Sequence, residues 1–365
     1  MKSIFRLLSV TLLMAMLLSA CAPAAVPVAA PETVVETKIV EVEKTVVVEV
    51  EVAAPEEDLS LCFAFQDLET EFWQAGYKAI TETLASKGIK VIEVNSNEDA
   101  NKQLEQVKDC IAQNVSGIMV IPVDGSIALT LISEANKAGI PIGIFNRPPQ
   151  NEDGDALVVV ADNRSIARQA VEYMAEQAKI QVAETGKKMT PLIMVGDLGD
   201  PNAVGRKQGF YDVIEKNPDL FNAPVEVQTK WDAAVAEAGL RDAMTANPDV
   251  DFLFTSSDFM FPLIQGVLEP LDKWKKVGEE GHVIMGGLDG DKTACGLIKD
   301  GWIEATGVQD LYFEADSLMQ SILASIALDE TNPDKWIPDP GFALTQGNLA
   351  TRENDMWGCK LYNGK

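Results

Sequence analysis

The side chains best suited to chemistry in this sequence occur in short polar clusters, each just after a short apolar run. Gln66, Asp67, Thr70, Phe72 and Trp73 follow the run at 59–65, and Asn146 and Arg147 follow 141–145. Asp197, Asp200, Asn202 and Arg206 follow 191–195. Ser256, Ser257 and Asp258 follow 251–254, Asp289 follows 283–287, and Gln309 follows 304–307. Planar amides, carboxylates and guanidinium groups satisfy neighbouring hydroxyls in pairs, because each hydroxyl both donates and accepts. Phe72 or Trp73 can cover an apolar ring face. Together these groups suit a sugar: apolar on its faces, hydroxylated at its edge.

Each position also has a plainer reading. An Asp after a strand often caps the next helix, which applies to Asp258 and Asp289. Adjacent helical residues point about 100° apart, so one of Phe72 and Trp73 can face the core and the other a ligand. Arg147 can serve as an ion-pair partner between domains. What points to a binding site is the recurrence of such residues at successive strand ends.

The elements that would position these residues alternate regularly. Apolar runs at 59–65, 90–94, 117–121, 141–145, 156–160, 191–195, 225–228, 251–254, 283–287 and 304–307 predict strands. Amphipathic stretches at 72–86, 100–113, 128–138, 165–184, 202–216, 233–246, 259–271, 292–299 and 311–327 predict helices between them, and 342–344 predicts a last strand before an irregular tail. This alternation implies parallel sheets with right-handed crossovers, and so many strands imply two sheets. In such sheets ligands bind beyond the carboxyl ends of the strands, where the polar clusters lie.

The N-terminus sets the compartment. Lys2 and Arg6 precede an apolar run that ends near Ala20. It is shorter than the roughly 20 apolar residues of a membrane span and fits a signal peptide over 1–20. Leu18-Ser19-Ala20-Cys21 resembles a bacterial lipobox, in which Cys21 becomes the lipidated N-terminus. Residues 21–57 are rich in Ala, Pro, Val and Glu and are expected as an acidic, extended stalk; the period-two Val/Glu alternation leaves a strand-paired stalk as the other reading. With 30 basic against 56 acidic residues the net charge is −26, which excludes the clustered cations that nucleic acid requires.

An enzyme finds little support. There is one histidine, His282, with no Gly-x-Ser-x-Gly elbow and no metal-ligand cluster. Only paired carboxylates acting on glycosides would remain. No cofactor or metal is expected. Apart from Cys21 there are four cysteines, Cys62, Cys110, Cys295 and Cys359. They permit three pairings, or they stay as buried thiols.

Several segments resemble the periplasmic sugar-binding proteins of the ribose, galactose and xylose type, which have the periplasmic binding protein type I fold. These are Phe72-Trp73; Ile144-Phe145-Asn146-Arg147; the loop-to-helix segment Gly196-Asp197-Leu198-Gly199-Asp200-Pro201-Asn202-Ala203-Val204-Gly205-Arg206; Thr255-Ser256-Ser257-Asp258; Gly286-Gly287-Leu288-Asp289-Gly290; and Ala305-Thr306-Gly307-Val308-Gln309-Asp310. The resemblance spans roughly 58–330. It departs at Ser257, where the family often has Asn, and in a longer tail with Trp336, Trp357 and Cys359.

The resemblance implies an α/β fold of two doubly wound parallel-sheet lobes joined by three hinge crossings, near 161–163, 309–310 and 345–347. The first lobe would take 58–162 and 310–344, and the second 163–309 and 345–365. Placement in that fold implies the pairs Cys62–Cys110 and Cys295–Cys359. The implied ligand set is Gln66, Thr70, Phe72, Trp73, Asn146, Arg147, Asn202, Arg206, Ser257, Asp258, Asp289 and Gln309. It also implies a monomeric receptor that closes like a clamshell and delivers its ligand to an ABC permease. Presenting the ligand to a membrane chemoreceptor or kinase is a second use for the same receptor.

Overall fold

The computed structural model describes residues 59–151, 155–329 and 335–364. The signal peptide, Cys21 and the acidic stalk lie outside the described residues.

The first sheet contains β1 (Ser60–Phe65), β2 (Lys90–Asn95), β3 (Gly117–Val120), β4 (Ile142–Phe145), β5 (Leu157–Ala161) and β11 (Lys335–Asp339), in the spatial order β11-β5-β4-β3-β1-β2. All its pairings are parallel. Helices α1 (Glu71–Ser86), α2 (Ala100–Ala112) and α3 (Gly125–Ala138) make its first crossovers. The second sheet contains β6 (Thr190–Val195), β7 (Val225–Gln228), β8 (Val250–Thr255), β9 (Ile284–Asp289), β10 (Ala305–Val308) and β12 (Phe342–Thr345), in the order β12-β10-β9-β8-β6-β7. It carries α4 (Asn163–Thr185), α5 (Pro201–Ile214), α6 (Ala233–Ala246), α7 (Phe261–Leu268) and α8 (Lys292–Lys299). α9 (Leu311–Leu328) returns to the first sheet. The chain ends with the short helices α10 (Leu349–Arg352) and α11 (Trp357–Tyr362).

Strand alternation explains the layers. Along β1, Leu61, Phe63 and Phe65 pack on one face, while Cys62 and Ala64 join the cluster on the other. Both faces are covered, so the strand reads as a continuous apolar run. The helices begin at side-chain caps: Thr70, Asp99, Asp124, Asp162, Asp200, Asp232, Asp291 and Asp310 each accept a backbone N–H of the first turn. Each such cap is worth about 1 kcal/mol, which explains why so many acidic residues follow strands.

The chain passes between the sheets at Asp162, at Gln309–Asp310 and at Pro340–Gly341. The third crossing corrects the expected one near 345–347. β12 pairs antiparallel with β10, from Ala305↔Thr345 to Val308↔Phe342, so 342–344 belongs to the second lobe. The strand that returns to the first sheet is β11. It contains Pro338, which makes its sequence look like tail, and the proline is accommodated because β11 lies at the sheet edge. Asp339 ties the three crossings together. Its carbonyl accepts Asp162 N (2.8 Å), and its carboxylate accepts Asp310 N (2.7 Å) and Gly341 N (2.9 Å).

Among the described residues there are two disulfides, Cys62–Cys110 between β1 and α2, and Cys295–Cys359 between α8 and α11. Among the described residues no helix is long and apolar enough to cross a membrane.

Candidate ligand site between the lobes

The carboxyl ends of both sheets face one seam. On the first lobe, α1 starts just after β1 and presents Phe72 and Trp73, whose rings meet edge-to-face at 4.8 Å and 80°. Both are largely buried. At the end of β4, Asn146 adopts φ +60°, a left-handed conformation that Asn tolerates better than most residues. Arg147 follows. Its guanidinium lies 5.3 Å from the Trp73 ring centroid and donates to the carbonyls of Pro122 (3.2 Å) and Val123 (2.6 Å).

On the second lobe, Arg206 projects from the second turn of α5. It donates to Asn163 Oδ1 (2.6 Å), Ser256 O (2.5 Å) and Asp289 Oδ1 (2.9 Å). Asp289 also accepts from Gln309 Nε2 (2.9 Å) and from the Ser257 hydroxyl. Burial pushes the Asp289 carboxyl up, while Arg206, Ser257 and Gln309 oppose that shift.

The seam itself is bonded. Asn202 Nδ2 donates to Asn146 O (3.0 Å), and Asn146 Nδ2 donates to Gln309 Oε1 (2.9 Å) and Glu314 Oε2 (2.9 Å). Arg147 Nε stands 3.1 Å from Asp200 Oδ2 as an ion pair, without an aligned hydrogen bond. Lys292 N donates to Glu71 Oε2 (3.1 Å) at the rim. The lobes are therefore closed on each other.

Of the expected positions, Phe72, Trp73, Asn146, Arg147, Asn202, Arg206, Ser257, Asp289 and Gln309 converge on this seam. Two others are used differently. Thr70 caps α1, its Oγ1 accepting Trp73 N at 3.3 Å. Asp258 is fully buried, and both of its oxygens are engaged by Thr306 Oγ1 (2.9 and 2.7 Å), with Gly290 N (2.8 Å) also bonding Oδ2. Gln66 is buried at the end of β1, and neither atom of its amide has a partner; the Ser256 hydroxyl is likewise unpaired. Such groups are costly unless something polar reaches them.

Sequence reasoning missed Trp231 and Glu314. Lys230 and Trp231 both adopt positive φ, +54° and +59°, in the turn after β7. This strained turn lays the indole over Gly196, where a Cβ would stand 2.1 Å from the ring. The ring also covers Arg206 at 5.5 Å, and its Nε1 donates to Asp200 Oδ2 at 3.2 Å. Glu314 lies in the first turn of α9, where a carboxylate reads as ordinary helix polarity. It is instead fully buried against Asn146, and burial together with Asp339 pushes its carboxyl well above the usual range. Near the rim, burial and a hydrogen bond with Asp67 push Glu98 up to about 7.

Acidic groups thus outnumber cations here. Arg147 and Arg206, the two arginines of the seam, are both already paired. Among the described residues no group of three or more His, Cys, Asp or Glu side chains could hold a metal ion.

The family model described as periplasmic binding protein domain matches residues 61–329. The chain belongs to the periplasmic binding protein family. This binding protein is 24% identical to the ribose import binding protein of Bacillus subtilis over 252 residues, which is 69% of this chain and 76% of that one. It is 28% identical to the D-xylose-binding periplasmic protein of Haemophilus influenzae, covering 68% and 72% of the two chains. A solved ABC transporter solute binding protein from Bacillus halodurans, with bound myo-inositol, shares the fold at TM-score 0.70 and 23% identity, covering 83% of this chain and 99% of that one. The type I periplasmic binding protein fold, with two lobes of mostly parallel sheets, is therefore the fold of this chain.

Proposed function

We propose that this binding protein captures a small uncharged polyhydroxylated ligand, a monosaccharide or cyclic polyol, between its lobes and delivers it to an ABC import permease. The observation that carries this reading is the convergence of Phe72 and Trp73 from one lobe and Trp231 from the other around Arg147, Arg206, Asn146, Asp289 and Gln309. Aromatic faces cover the C–H faces of a sugar ring, and the planar groups bind its hydroxyls. The unpaired Gln66 amide supplies a further donor and acceptor. Relatives named for ribose and xylose binding, and the structural neighbour with myo-inositol, support the same ligand class. The excess of carboxyl groups over cations disfavours anionic sugars.

Binding works by population shift: a ligand that contacts both lobes favours the closed form. We read the protein as a receptor, in keeping with relatives named as binding proteins. We also place it outside the cytoplasm as a monomer tethered through lipidated Cys21, which holds it near its permease at high effective concentration. Cys21→Ala should release the protein from the membrane fraction; retention would contradict the anchor. A thermal-shift panel of pentoses, hexoses, inositols, amino acids and nucleosides on the full chain tests the ligand class. A sugar or inositol should raise the melting temperature, and stabilisation by amino acids or nucleosides alone would overturn the reading.

A further inference from the structure

The C-terminal segment, expected only as a tail, reaches the seam. α11 is fastened to α8 by the Cys295–Cys359 disulfide, and the segment before it by the Lys299–Glu353 ion pair at 2.6 Å. Gly358 N donates to Gly290 O at 3.1 Å. A Cβ on Gly358 would stand 2.2 Å from the Asp291 carbonyl carbon, so only glycine lets α11 sit on this turn.

That seating delivers Trp357, which is 1% exposed. Its Nε1 donates to Asp289 O at 3.1 Å, and its ring meets Phe72 at 6.1 Å and 65°. Asp289 has φ +141°, a region that residues with a side chain avoid. Its backbone must therefore be held in place from outside. Phe72 belongs to the first lobe and Trp357 to the second, so opening of the lobes breaks the contact between their rings.

We propose that Trp357 is a positioning residue with two effects: it holds the strained backbone that aims Asp289 at the ligand, and it latches the closed lobes through Phe72. The proposal rests on the ligand site described above. A contact formed on closure slows ligand escape more than it speeds arrival, since affinity differences within one interface lie mostly in dissociation.

Trp357→Phe in the full chain tests this, with D-xylose, D-ribose and myo-inositol as probes in stopped-flow binding. The dissociation rate should rise about tenfold, with association changed less than about twofold. In the ligand-free protein, amide exchange at Gly290 and Asp291 should accelerate while the melting temperature stays within a few degrees. An unchanged dissociation rate, or unchanged exchange at those amides, would overturn the proposal. If the wild type binds none of the probes, the ligand reading fails, while the exchange measurement still decides whether Trp357 holds the turn. Should Trp357→Phe not fold, Gly358→Ala keeps the indole but displaces α11, and Trp357 with it, from the turn and should give the same changes.

Discussion

Among the described residues, two buried arginine–aspartate pairs look alike but sit differently in the fold. Arg206–Asp289 lies wholly within the second lobe, braced by Asn163, Ser257 and Gln309. Arg147–Asp200 spans the seam, and its ion pair lacks an aligned hydrogen bond. The first is built before any ligand arrives. The second exists only when the lobes meet. On the proposed reading, the second lobe offers a preorganised half-site, and the contacts across the seam tune how readily the other half closes over it.

Removing Arg206 should break this comparison most severely. Arg206→Ala leaves Asp289 buried beside no cation, and breaking a buried pair costs about 3–5 kcal/mol. Sugar affinity should fall more than about 100-fold, and the ligand-free melting temperature should also drop. Calorimetry and thermal denaturation would show both losses; retained affinity would mean the ligand does not sit at this seam.

A milder change on the other pair sharpens the contrast. Asp200→Asn keeps an oxygen to cap α5 but removes the charge facing Arg147, together with the acceptor for Trp231 Nε1. Affinity should weaken about tenfold, the scale of about 1.4 kcal/mol, while the ligand-free melting temperature moves by less than about 2 °C. A large loss of ligand-free stability would mean that this pair, too, is part of the standing architecture.

The smallest effect concerns a pair remote from the seam. Buried His282 bonds the Lys275 carbonyl (2.7 Å) and Glu304 Oε1 (2.7 Å) through its two ring nitrogens. A protonated ring donates to both oxygens at once. Burial alone would lower its pKa, but Glu304 and the Lys275 carbonyl outweigh it and raise the value above 6.5. A raised folded pKa means the stabilisation is fully present below the unfolded value and is lost as pH rises through the folded one. Melting temperature should therefore carry a decline above pH 6.5 that His282→Gln removes. An identical pH profile in the variant would contradict a charged ring.

Much of this could be read in the sequence. The strand–helix alternation and the polar residues at strand ends are local patterns, and they carried Asn146, Arg147, Arg206, Asp289 and Gln309 to the seam. What was hidden depends on long-range partners. β11 has the composition of a loop until β5 is beside it, because an edge strand need not be apolar and can hold Pro338. Trp231 depends on two successive left-handed residues and on the space at Gly196, which no periodicity signals. Glu314 looks like surface until Asn146 and the hinge enclose it. Thr70 and Asp258 show the reverse ambiguity, since a cap or a loop brace has the same residue types and position as a ligand contact.

The most direct test of the central claim is titration calorimetry of the full chain with D-xylose, D-ribose, myo-inositol and D-glucuronate. Saturable one-to-one binding of at least one neutral ligand is expected, lost in Arg206→Ala, with no binding of the anionic glucuronate. Tight glucuronate binding, or neutral-sugar binding that survives Arg206→Ala unchanged, would contradict it.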